Sequence, residues 1–189
     1  MASRAMHRIG LTLLLSMLVA TPLPAQPQRA ILSDITVSNS PDHLLLHVNV
    51  RNAFNQELRQ KLLNGTPILF EFQVQLKRVK ALWRNETIAD IEASQSIRYD
   101  AIRREFIVRR VFEREPEMTS SSEEALARVS RLDGLKLAPL QRIAKGEPYQ
   151  LKVKAAVGRR SLPLGLHHVL FFMSFWDVET DWVIIDFNY

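Results

Sequence analysis

The sequence predicts a mainly β fold: a single antiparallel β-sandwich with two short amphipathic helices. Long stretches alternate apolar and polar residues with a period of two, which is typical of strands with one buried and one wet face. Two short stretches have helical spacing instead, and no internal repeat or linker divides the chain. Several strands of this kind imply two sheets packed face to face, of which the immunoglobulin-like sandwich is one form.

The first residues have the pattern of a secretory signal. Arg4 and Arg8 make a basic start, residues 9–20 form an apolar run, and a proline-containing stretch then ends at the small residue Ala25. This apolar run is shorter than the roughly twenty residues that a membrane-spanning helix needs. We therefore expect cleavage after residue 25, a periplasmic location and no transmembrane segment after cleavage.

Residues 26–189 suit one domain with one core. The chain has no cysteine, which excludes disulfides, thiol catalysis and zinc–thiolate sites. The formal net charge is +5. Because we expect export, the basic balance points to an anionic envelope component, or to an envelope or inner-membrane protein, and not to nucleic acid.

Five stretches carry the strand pattern. In the clearest of them, Phe70, Phe72 and Val74 share one face, while polar residues occupy the positions between them. The five predicted strands cover residues 44–50, 70–77, 89–99, 149–157 and 183–189.

The first helix is predicted over residues 54–63. Phe54, Leu58 and Leu62 recur every four residues and form its apolar stripe. Gly65 follows at the position where a left-handed residue ends a helix.

The second helix is predicted to begin after Ser121. This serine precedes Glu124 by three residues, which is the spacing of a capping box. Gly134 is predicted to end the helix. Its predicted apolar face consists of Ala125, Val129 and Leu132.

The chain contains no motif for nucleophilic catalysis, for phosphate binding or for a His-Glu-x-x-His zinc site. His43 and His47 lie in a predicted strand, where four residues span about 13 Å, too far for one metal ion. The adjacent pair His167 and His168 diverges in either a strand or a helix. We therefore predict no catalytic residue set, no metal and no cofactor. An envelope hydrolase that uses acidic residues is the alternative, since carboxylates distant in sequence can meet in space.

Basic residues on two predicted strands provide the first candidate binding surface. An anionic lipid head group, a cell-wall polymer or an acidic protein face would suit it, and a solvated sheet face is the plainer interpretation. The residues are Lys77, Arg78, Lys152 and Lys154.

An acidic run between two aromatic residues provides the second candidate binding surface, in a predicted turn. Calcium loops contain such runs of carboxylates, but they also need a glycine and further oxygen ligands, which this run lacks. We therefore predict that its side chains bond to turn amides or to a partner. The residues are Trp176, Asp177, Glu179, Thr180 and Trp182.

The last predicted strand also suits a different architecture. Its alternating pattern ends in the aromatic Tyr189, which is typical of the terminal strand of a small outer-membrane β-barrel. The two helical stretches between strands argue for the soluble sandwich instead.

Several local patterns resemble a family of exported gram-negative bacterial proteins known as domain of unknown function 4390. They are LLNGTPI at 62–68, EEAL at 123–126, LPL at 162–164 and FFMSFWDVETDW at 171–182. The resemblance implies an exported single-domain protein of unassigned activity, and it supplies no catalytic residues. Members are often encoded beside two-component sensor genes, so by analogy it implies an accessory role in the envelope. We expect a non-enzymatic binding or interaction module of the cell envelope.

Overall fold

The structure is a computed structural model that describes residues 29–82, 84–158 and 177–189. The predicted signal, the pair His167 and His168, and Trp176 lie outside these residues, so the expectations for them stay predictions. No helix in the described ranges is long and apolar enough to cross a membrane.

Ten strands of the described residues form two antiparallel sheets. The narrow sheet has the order β1-β2-β7, and the wide sheet has the order β10-β8-β3-β4-β5-β6, with β9 also paired to β8. The predicted mainly β fold with two antiparallel sheets is confirmed. The strands are β1 (Ile31–Asn39), β2 (His43–Arg51), β3 (Ile68–Arg78), β4 (Glu86–Asp100), β5 (Glu105–Arg109), β6 (Glu117–Thr119), β7 (Arg131–Pro139), β8 (Pro148–Gly158), β9 (Val178–Glu179) and β10 (Val183–Asn188).

Helix α1 (Gln56–Leu63) ends where the sequence predicts, but it begins two residues later than predicted, so Phe54 precedes it. Asn55 caps its start, because the Leu58 N–H donates to the Asn55 side chain at 2.8 Å. Gly65 ends it in the left-handed region with φ of 82°, and its N–H donates to the Leu62 carbonyl at 2.9 Å.

Helix α2 (Ser122–Val129) begins at the predicted cap, where the Glu124 N–H donates to the Ser121 hydroxyl at 3.2 Å. Its predicted end is wrong, since Leu132 and Gly134 both lie in β7. Leu132 is buried opposite β2, so strand pairing replaces the last helical turn. Gly134, with φ of 72°, instead lies where the β2–β7 register shifts, and the left-handed conformation suits such a bulge.

One core lies between the two sheets. The wide sheet supplies the largest share of it, and the narrow sheet covers it from the other side. Both helices extend this cover: α1 packs against β4, and α2 packs against β4, β5 and β6. The largest fully buried side chains include Phe70, Phe72, Leu76, Tyr149 and Leu151 of the wide sheet, and Leu44, Leu46 and Leu132 of the narrow sheet.

Gln95 of β4 is a buried polar side chain that joins the sheets and α2. It is 2% exposed, and its Nε2 donates to the carbonyls of Val129 at 3.1 Å and Arg131 at 3.0 Å. These carbonyls belong to the last residue of α2 and the first residue of β7. The side chain therefore holds the connection between the helix and the narrow sheet against β4.

We expect Gln95→Leu to lower the free energy of unfolding by about 1–3 kcal/mol, because two carbonyls lose their donor. Urea unfolding followed by circular dichroism measures this change. Gln73→Leu, on the wet face of β3, is the matched control and is expected to stay within about 0.5 kcal/mol of the wild type. Equal stability of the Gln95→Leu and Gln73→Leu proteins would contradict this role of Gln95.

Candidate functional site

Three of the predicted basic residues share the outer face of the wide sheet. Lys77 extends from β3, and Lys152 and Lys154 extend from β8, at positions that alternate with buried residues. Asp90 and Glu92 of β4 lie on the same face, one strand away across β3. Because acidic residues stand beside the lysines, this is a polar face of mixed charge and not a basic patch.

Arg78 does not belong to that face. It pairs across strands with the fully buried Tyr149, so its side chain lies on the inner side at the end of the sheet. Its Nε donates to the Tyr149 hydroxyl at 3.2 Å, and its Nη2 donates to the Arg142 carbonyl at 3.0 Å. Its Nη1 also lies 3.3 Å from a Glu86 carboxylate oxygen. These contacts make Arg78 a structural residue of the sheet end.

The acidic run forms an edge of the wide sheet, so the predicted turn is wrong. Strand β9 pairs with the end of β8, and the chain then continues into β10 along the same edge. Thr180, 5% exposed, joins the two strands: its N–H donates to the Ala155 carbonyl at 2.9 Å, and its Oγ1 accepts from the Ala155 N–H at 3.0 Å. The side-chain oxygen thus replaces a backbone acceptor and keeps the chain beside β8. Trp182, after it, is 43% exposed.

Two carboxylates of the run pair with lysines. Asp177 lies 2.5 Å from the Lys61 ammonium, which also contacts Glu57 at 2.8 Å, and Glu179 lies 2.6 Å from Lys154. The hydrogen bond to Asp177 raises the pKa of Lys61 above its ordinary value. Within the described residues, no group of three histidine or acidic side chains could hold a metal ion. The Lys61–Asp177 pair binds the residue before β9 to α1, and the Lys154–Glu179 pair joins β8 to β9.

A hydrogen-bonded row on the outer face of the narrow sheet was not predicted. The Ser38 hydroxyl lies 2.9 Å from His47 Nε2, and His47 Nδ1 lies 3.4 Å from an Asp133 carboxylate oxygen. The bulge at Gly134 places Asp133 opposite His47. These residues lie 9 and 86 positions apart, so no local pattern could reveal them.

The row has the residue types of a serine-hydrolase triad, but its surroundings do not suit catalysis. The Asp133 carboxylate is shared with Arg131 at 3.2 Å and Arg110 at 3.4 Å. The neighbouring cavity of about 550 Å³ is lined by His47 and Asp133 but not by Ser38. A substrate there would meet the base and not the nucleophile, so the row is better explained as a link between three strands.

An apolar groove of about 720 Å³ lies between the edge strands β1 and β10. It lies at the side of the wide sheet away from α1 and α2, which pack near β4, β5 and β6. An apolar cleft with a few polar groups at its rim is the usual form of a binding site for a small molecule. The apolar lining is Ile35, Val37, Leu44, Ile185, Phe187 and Tyr189, and the polar lining is Asn39, Lys145 and Asn188.

Strand β10 supplies one wall of the groove through its alternation. Ile185 and Phe187 point toward the core and remain half-buried, while Ile184 on the opposite face is 51% exposed. The Phe187 ring stacks on the ring of Tyr149, with centroids 5.8 Å apart. The alternation of β10 is predictable from the sequence and predicts core positions for these residues. The groove is not predictable, because it depends on how the sheets pair.

The backbone holds Lys145 at the mouth of the groove. Before it, the Ala144 N–H donates to the Tyr149 hydroxyl at 2.9 Å; after it, the Gly146 N–H donates to the Tyr189 carbonyl at 2.6 Å. The Lys145 side chain is exposed, and none of the salt bridges within the described chain involves it. Lys145 therefore brings a positive charge to the lining of the groove, with no salt-bridge partner among the described residues.

The edge contact of Thr180 generates a stability prediction. Thr180→Val keeps the shape of the side chain but removes the oxygen that accepts from Ala155, so we expect a loss of about 1–3 kcal/mol in the free energy of unfolding. Thr180→Ser keeps the oxygen and is expected to lose less. Urea unfolding of both proteins measures the difference, and equal losses would show that the hydroxyl does not replace a backbone acceptor.

A family model described as domain of unknown function (DUF4390) matches residues 27–186. No curated protein and no solved structure matches the chain. Because the matched range covers most of the chain, the protein described above belongs to the DUF4390 domain family.

Proposed function

We propose that this protein is an exported, non-enzymatic binding module of the cell envelope, and that it binds an apolar, anionic envelope component in the groove between β1 and β10. The groove is the observation that carries the proposal. The outer face of the wide sheet and the acidic run are less suitable, because their charged groups already have partners or stand beside opposite charges.

The half-buried wall of β10 supplies the driving force. Among the described residues, Ile185 and Phe187 are only half-buried, whereas the inward positions of β3 and β8 are buried. Removing such surface from water contributes about 25 cal/mol per Å². A ligand that fills the groove therefore gains free energy without a change in the fold.

The leader pattern supports the export part of the proposal. A basic start, the short apolar run at 9–20 and the small residue Ala25 form the usual order of a secretory signal. In the periplasm the ligand would be an envelope component, or a segment of an envelope or inner-membrane protein. An accessory role beside a two-component sensor rests on family analogy alone.

Site-specific crosslinking in a gram-negative host tests the proposal. A photoreactive phenylalanine analogue at Ile185 faces the groove, and the same analogue at Ile184 faces away from it, so the two positions form a matched pair. We expect adducts with an envelope component at position 185 that are at least several times more abundant than those at position 184. Fractionation of the same cells is expected to recover the protein from the periplasm, without residues 1–25.

Two results would contradict the proposal. Equal crosslinking at the two positions would exclude the groove as the binding surface. Recovery of the uncleaved protein from the cytoplasm would exclude the envelope role.

A further inference from the structure

We propose that the ligand of the groove is a single-chain amphiphile with an anionic head group, with its alkyl chain between β1 and β10 and its head group beside Lys145. This inference rests on the proposed function, because it names the ligand class of the same site. The groove has apolar walls and a lysine in its lining. The apolar walls would bind the alkyl chain, and the lysine would bind the head group.

The apolar walls define the chain-binding part. Ile35 to Asn39 on β1, and Ile185 on β10 to Tyr189 just after it, each cover four residue steps, which is about 13 Å along an extended chain. Aliphatic side chains line both walls, with Phe187 held in place by its stacking on Tyr149. An apolar space of this length matches one extended alkyl chain.

The rim defines the head-group part. Lys145 lines the groove between two anchored peptide groups, and Asn39 of β1 lines the same groove. An ammonium and amide N–H groups donate hydrogen bonds to carboxylate or phosphate oxygens, and bonds to an ionised acceptor are the stronger ones. A cationic head group would meet repulsion at the same place.

A strand from a partner protein is the competing occupant, and the shape of β1 argues against it. The register of β1 shifts between Ser33 and Thr36, and Asp34 has φ of 54°. Such a bulge bends an edge strand and disfavours the addition of another strand. A partner strand would also give Lys145 no particular role, whereas an anionic head group does.

Calorimetric titration of the exported protein with four soluble probes tests the inference, each below its micelle concentration. Dodecanoate carries a carboxylate, dodecylphosphate a phosphate, dodecanol no charge and dodecyltrimethylammonium a positive charge. We expect dodecanoate and dodecylphosphate to bind at least about tenfold more tightly than dodecyltrimethylammonium, with dodecanol between them. The ratio of the two anions distinguishes a fatty-acid-like ligand from a phospholipid-like one.

Variants locate both ends of the ligand. Lys145→Gln is expected to lower the affinity for dodecanoate about five- to tenfold and to leave the affinity for dodecanol unchanged. Lys152→Gln, on the outer face of the wide sheet, is the matched control and should change neither. Ile185→Glu should abolish binding, while Ile184→Glu should not. If Ile185→Glu unfolds the protein, Val37→Gln in the opposite wall replaces it.

The outcomes separate the inference from the proposed function. Equal binding of the anionic and cationic probes, with no effect of Lys145→Gln, would overturn the head-group assignment and leave the groove as the site. If no probe binds and the adduct at position 185 is a protein, the occupant is a partner strand and the inference is wrong. If groove variants change neither titration nor crosslinking, the inference and the proposed function both fail.

Discussion

The apolar inner face of the wide sheet has to be covered, and the narrow sheet covers only part of it. Three strands stand opposite a sheet that is six strands wide. At the side of β4, β5 and β6 the two helices complete the cover, and Gln95 holds the end of α2 in place. At the other side, β1 and β10 face each other across the groove. The proposed binding site and the two helices therefore have the same origin: the narrow sheet has too few strands to cover the whole wide sheet.

Three edges of the two sheets end in different ways. The β6 edge is three residues long, too short to attract another strand. The β1 edge contains a bulge at Asp34. On the β8 side, Thr180 bonds to Ala155 and joins β9 to β10 as one continuous edge. The β1 and β6 edges are thus poor templates for strand addition, while among the described residues a groove lies between β1 and β10.

Much of the fold was predictable because the long strands obey one rule. Strands β3 and β8 alternate without interruption, so their sequences show which face is buried. Strands β1 and β7 were missed because bulges at Asp34 and Gly134 break their alternation. The groove could not be predicted, since it depends on Val37 and Ile185 facing each other across two sheets, and no local pattern encodes that pairing. Arg78 was wrongly predicted to share a surface with Lys77. The alternation of β3 puts it on the inner face, where it contacts Tyr149 and Glu86.

Nuclear Overhauser contacts between protein methyl groups and a bound amphiphile test the central claim most directly. With isotope-labelled Ile and Val methyl groups in the exported protein, the methylene protons of dodecanoate should contact Val37 and Ile185 from opposite walls. Ile184, on the outer face of the same strand, should show no contact. Contacts confined to Ile184 and the outer face of the wide sheet would contradict the account, because they would place the ligand on the polar face and leave the groove empty.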